Sequence, residues 1–105
     1  MSDPRFPIGP FSIEGDMTPD TLHGFVEIIA NAPAEFREAV NGLNDAQLDT
    51  PYRDGGWTIR QVIHHVADSH VNSYIRFKLA LTEDRPTIKP YAEDLWAEIE
   101  DAKVG

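Results

Sequence analysis

The chain has 105 residues, 41% of them hydrophobic and 26% charged, so it has the balance of a folded soluble protein and room for one modest domain. Its formal net charge of -9 excludes nucleic acid and anionic membrane surfaces as partners, because both need clustered Lys and Arg. It has no cysteine; disulfides and thiolate ligands are therefore excluded, and a transition metal would have to be held by His, Asp, Glu or water.

Residues 1–17 contain Pro4, Pro7, Gly9, Pro10 and Gly15 and read as an extended lead-in. Phe6, Ile8, Phe11 and Ile13 are expected to pin it onto a core. The opening MSDPRFPIGPF lacks a basic region followed by an apolar run, so no secretory signal is expected. No stretch approaches the roughly 20 apolar residues of a membrane span. A soluble, cytoplasmic protein is the expectation.

Thr18-Pro19-Asp20 starts a helix: Thr18 caps, Pro19 suits the first helical position, and Asp20 suits the positive end of the dipole. Leu22, Phe25, Ile28, Ile29, Phe36, Val40 and Leu43 continue it with helical spacing. Pro33 either kinks this helix or divides it. Asn41-Gly42 is a stop signal, and Asn44 caps a short turn through Leu48. The stretch Asp49 to Trp57, with Pro51 and Gly55-Gly56, is a loop. Thr58-Ile59-Arg60-Gln61 then fits a capping box, opening a helix that runs to about Leu81. Thr82 to Pro90 is a second loop, and Tyr91 to Ala102 is expected to form a short, acidic helix. No alternating strand pattern stands out. The fold class is all-α.

The 59–81 helix carries His64, His65 and His70. At about 100° per residue, Ile59, Val62, Ile63, Val66, Ser73, Tyr74, Phe77 and Leu81 form one broad stripe with His70 near its middle. His65 lies beyond one edge of that stripe. His64 and Asp68 face away. Histidine is the commonest ligand for metals such as zinc and nickel, and a bundle helix is a usual platform for one. The spacing itself leaves the ligand open: two histidines four apart would share a face, whereas these are separated by one, five and six residues. A lone His on an apolar stripe, as His70 is here, is more often a hydrogen-bonded core residue than a ligand. No P-loop, dinucleotide fingerprint, G-x-S-x-G or H-E-x-x-H is present, and Ser69 beside His65 and Asp68 cannot form a triad from one helix.

The stretch TPYRDGGWTIRQVIHHVADSHVNSYIRFKLALTEDRPTIKPY (Thr50 to Tyr91) closely resembles the YfiT branch of the DinB superfamily. RFPIGPF and LNDAQLDTPYR resemble the same branch. The resemblance implies a four-helix bundle binding a divalent metal, zinc or nickel, through three histidines. It implies a metal-dependent hydrolase acting on a small molecule, or alternatively an S-transferase using bacillithiol or a similar low-molecular-weight thiol. By the same resemblance the first ligand is His65, with His64, Asp68 and His70 as neighbours, and the other two ligands form an HxxxH pair on a later helix. No such pair occurs in these 105 residues. Residues 18–105 are therefore expected to be the N-terminal part of the bundle, its front helices only, with an apolar stripe left uncovered that favours a homodimer. The further alternative is an inactive helical fragment or interaction module.

Overall fold

The computed structural model describes residues 3–12 and 15–105. Its elements are α1 (Pro19–Val40), α2 (Asp45–Leu48), α3 (Ile59–Thr82), α4 (Glu93–Trp96) and a 3-10 helix (Glu100–Lys103). Among the described residues the only β pairing is an isolated bridge between Pro51 and Thr58. None of the described helices is long and apolar enough to cross a membrane. The chain falls into two compact units, Met1–Asn44 and Asp45–Gly105.

The first unit is the lead-in and α1. Thr18 caps α1 as expected, its hydroxyl accepting from the Thr21 amide at 3.1 Å. Pro33 stays inside one continuous helix. The helix ends at Asn41, and Gly42 turns the chain at φ +85, a left-handed conformation that favours glycine. No residue of α1 is buried. The expectation that the lead-in pins to a core does not hold for Phe6, Ile8 and Phe11, all of which are exposed. Ile13 lies outside the described residues.

The second unit is built around the start of α3. Both halves of the Thr58 capping box are present: the Thr58 hydroxyl accepts from the Gln61 amide at 3.1 Å, and the Gln61 Oε1 accepts from the Thr58 amide at 3.0 Å. Thr58→Ala is expected to cost about 1 kcal/mol of stability by leaving that helix N–H unpaired, measurable as a lowered denaturant midpoint followed by far-UV circular dichroism.

The buried residues of this unit are few, and half of them are polar. They are Arg60, Gln61, Ala97 and Ala102. Arg60 ties three segments together. Its Nε donates to Asp49 at 3.0 Å, its Nη2 donates to Asp45 at 3.0 Å, and its Nη1 donates to the Gly105 carbonyl. Gln61 reaches the other way, its Nε2 donating to the Ala97 carbonyl at 2.7 Å. The hydrogen bond to Asp49, helped by Asp45 and opposed by desolvation, raises the Arg60 pKa above the ordinary guanidinium value.

Gln61 also accounts for the main departure from the expected secondary structure. The acidic segment is not one helix. It forms a single α turn, then Ile99, then a 3-10 turn. In a continuing α-helix the Ala97 carbonyl would accept from the Asp101 amide; here it accepts from Gln61 instead. Asp94 and Glu98 are like charges four residues apart, which further disfavours continuation.

Candidate metal centre

α3 brings its histidines to three different settings. His65 stands nearly two turns into the helix and is half-buried. Its ring lies against that of Trp57, with centroids 4.9 Å apart and planes tilted by 50°. Trp57 immediately precedes the Thr58 cap. A large apolar residue at that position usually folds back over the first turns of its helix, and here it reaches the imidazole. The orientation of His65 is thus set by the loop that Gly55 and Gly56 turn into the helix.

The wheel turns His64 away from the apolar stripe, to a solvated or interface position, and the structure gives it the latter. It is half-buried against the C-terminal segment, and its Nε2 lies 2.9 Å from the Val104 carbonyl. A carbonyl only accepts, so this nitrogen carries the proton and is not free to bind a metal. Consecutive residues on a helix diverge by about 100°; His64 and His65 therefore serve different surroundings.

His70 shows where periodicity misleads. It sits on the stripe the sequence marks out, but it is exposed, as are Val71, Tyr74, Ile75, Phe77 and Leu81 around it. Toward the start of α3 the stripe is half-buried at Ile59, Val62, Ile63 and Val66; it is the later part, at Tyr74, Phe77 and Leu81, that stands exposed. Asp68 is half-buried, and its backbone carbonyl accepts from the Asn72 side chain at 2.9 Å. His23, in the first unit, lies 3.4 Å from Glu27 on an exposed face of α1.

Among the described residues no three His, Asp or Glu side chains gather where they could share one cation. The residues present do not by themselves fit a metal, and no catalytic step through one follows from them. His65 is the imidazole whose surroundings suit a ligand: half-buried, held by an aromatic ring, and with no hydrogen bond from its ring nitrogens among the described residues. The sequence reading missed Trp57 as its support, although a tryptophan directly before a helix cap was a visible signal. It also missed the roles of Arg60 and Gln61 beyond the cap, for which sequence offers no comparable signal.

Residues 28–103 match the model of the DinB superfamily. The chain belongs to that superfamily. A protein of Bacillus mycoides (strain KBAB4) named "Putative metal-dependent hydrolase" is 55% identical over 104 residues, which is 99% of this chain and 60% of that protein. A protein of Bacillus cereus (strain B4264) with the same descriptive name matches at the same identity and coverage. Among solved structures, YfiT from Bacillus subtilis, described as "a probable metal-dependent hydrolase with an unusual four-helix bundle topology", superposes with a TM-score of 0.89 at 48% identity. The superposition covers 96% of this chain and 58% of YfiT. This DinB chain thus spans about 60% of the length of the curated relatives it matches. The all-α class and the bundle architecture expected from sequence agree with these findings.

Proposed function

We propose that this DinB chain contributes His65 as one ligand of a divalent-metal centre in a metal-dependent hydrolase of small molecules. The observation that carries the reading is the half-buried His65 imidazole held against Trp57 at the start of α3, in a chain whose relatives are named for metal-dependent hydrolysis. The remaining ligands, two further histidines on this reading, come from outside these 105 residues. An all-imidazole donor set suits zinc or nickel better than magnesium or calcium, which prefer oxygen. A bound metal would supply a Lewis acid and an activated water. What this chain's own residues supply is one imidazole, its orientation by Trp57, and the clasp of Arg60 and Gln61 that holds the start of α3 in place.

The test uses the polypeptide lengthened by the region its relatives carry beyond the match. The unsubstituted form is expected to hold about one zinc or nickel per chain, and His65→Ala to lose it together with hydrolysis, while His70→Ala keeps both. Retention of stoichiometric metal by His65→Ala would refute the assignment. Running the assay with and without a small thiol as co-substrate separates hydrolysis from thiol transfer.

The uncovered apolar side chains of α3 also make a homodimer the expected state of the 105-residue chain. Two copies of charge -9 repel, so association should strengthen as salt screens them. Sedimentation velocity at low and high ionic strength checks this; a monomer at both would sink the idea.

A further inference from the structure

The loop after α3 folds back along that helix, and the two line a partly open cavity of about 210 Å³. Its chemistry inverts that of the chain. Asp and Glu outnumber Lys and Arg by 18 to 9 in the sequence, yet the lining includes Arg76 and Lys89 and no acidic residue. Neither basic side chain forms an ion pair with a carboxylate among the described residues. Arg76 instead uses Nη2 to donate to the Lys89 carbonyl at 3.4 Å. That bond holds the loop and leaves most of the guanidinium donors unused.

The other side of the cavity is apolar and aromatic. Tyr91 and Trp96 lie with ring centroids 4.7 Å apart at 56°, and Ile75 completes the wall. Asn72 adds an amide. Pro86 and Pro90 each fix a φ angle of the loop, which lowers the conformational cost of binding. Convergent polar groups on a largely apolar wall are the usual make-up of a small-molecule site.

We infer that this cavity binds the anionic end of a small organic acid, a phosphate or carboxylate attached to an apolar or aromatic body. Arg76 and Lys89 meet the charge. Tyr91, Trp96 and Ile75 pack against the body. Asn72 and Arg76 follow His65 by seven and eleven residues, so both lie within about 20° of its direction around the helix. They are about 10 and 16 Å further along it. The cavity is therefore placed to anchor a substrate that extends toward His65. That last step rests on the metal-centre reading above; binding of the organic acid does not.

The test is made on the 105-residue chain, stripped of metal and desalted, with phenyl phosphate as probe. Binding is read from the indole N–H resonance of Trp96, assigned with Trp96→Phe. Phenyl phosphate is expected to shift that resonance saturably, and to bind more tightly than either inorganic phosphate or phenol. Arg76→Gln and Lys89→Gln should each weaken binding about 10-fold, the size of one charge-assisted hydrogen bond, while Arg76→Lys retains part of it. Far-UV circular dichroism establishes that each variant is folded. The inference is overturned if phenol binds as well as phenyl phosphate, if inorganic phosphate does so, or if both folded glutamine variants bind like the parent. Because metal is absent throughout, a failure of the His65 assignment leaves this outcome unchanged, and the reverse also holds.

Discussion

Arg60→Ala is expected to lower the melting temperature of the chain by roughly 5–10 °C, the range in which loss of a buried polar network falls for a domain of this size. Arg60 is 6% exposed, and one side chain holds Asp45, Asp49 and the Gly105 carbonyl. Its carboxylate partners are open to solvent, their side chains being 92% and 57% exposed. Removing Arg60 therefore does not strand buried charges. What is lost is the fastening of α2 and of the C-terminal segment to the first turn of α3, together with the packing of the arginine stem. Arg60→Lys should restore little, because a single ammonium cannot match a fork that donates from separate nitrogens to separate partners. If Arg60→Lys melted like the parent, the fork geometry would not matter and this account would be wrong.

The pH dependence follows from the sign of the Arg60 shift. The pKa is raised in the folded chain, chiefly by the hydrogen bond to Asp49. Stabilisation from a raised pKa is complete below the unfolded value and is lost only as pH climbs through the folded one. Both lie far above neutrality. The difference in melting temperature between parent and Arg60→Ala should thus stay flat from about pH 6 to about pH 9. A slope across that window would assign the effect to another group.

Gln61→Ala is expected to cost about 2–3 kcal/mol, since it removes two interactions at once. One is the reciprocal half of the capping box, the Thr58 amide donating to Oε1 at 3.0 Å. The other is the 2.7 Å bond to the Ala97 carbonyl, which belongs to a residue only 2% exposed. Gln61→Glu separates the two. It keeps an oxygen for the cap but turns a second oxygen toward the Ala97 carbonyl and toward Glu98, which lies 3.4 Å from the amide nitrogen. Gln61→Glu should accordingly be at least as destabilising as Gln61→Ala, and more so at neutral than at acidic pH. Chemical denaturation gives both values. A Gln61→Glu variant as stable as the parent would mean that the cap alone carries the contribution. Amide exchange offers a second check: with Gln61 gone, the Ala97 carbonyl is free for the Asp101 amide, whose protection should rise.

The helices were legible in the sequence because their causes are local. Thr18 and Thr58 cap within three residues, the apolar spacing of α1 and α3 is a property of each helix alone, and Gly42 marks its own turn. Pro33 was the one ambiguous signal within α1, where sequence allowed either a kink or a break and the helix runs on. The family motif around Gly55-Gly56-Trp57-Thr58 and His64-His65 was legible for the same reason, as a contiguous stretch.

Burial was read less well. The wheel placed His70 deep and His64 outward, whereas His70 is exposed and His64 is half-buried. Amphipathic periodicity says which face is apolar, not whether anything covers it. On the later part of α3 the apolar side chains Tyr74, Phe77 and Leu81 are exposed, and on the first part the polar side is where the C-terminal segment docks.

By itself, then, the sequence determined the all-α class, the helix boundaries at their caps, the lack of a cysteine ligand in these 105 residues and the family motif around His64-His65. Only the tertiary structure decided what Arg60, Gln61 and His64 bond to, why the acidic segment breaks after Trp96, and how Arg76 and Lys89 come to line one cavity. The physical reason is separation along the chain. Gln61 and Ala97 are 36 residues apart, His64 and Val104 are 40 apart, and Arg60 and Gly105 are 45 apart. Capping and periodicity act within a helical turn or two, whereas these pairings exist only once the chain has closed on itself and buried polar groups must find partners.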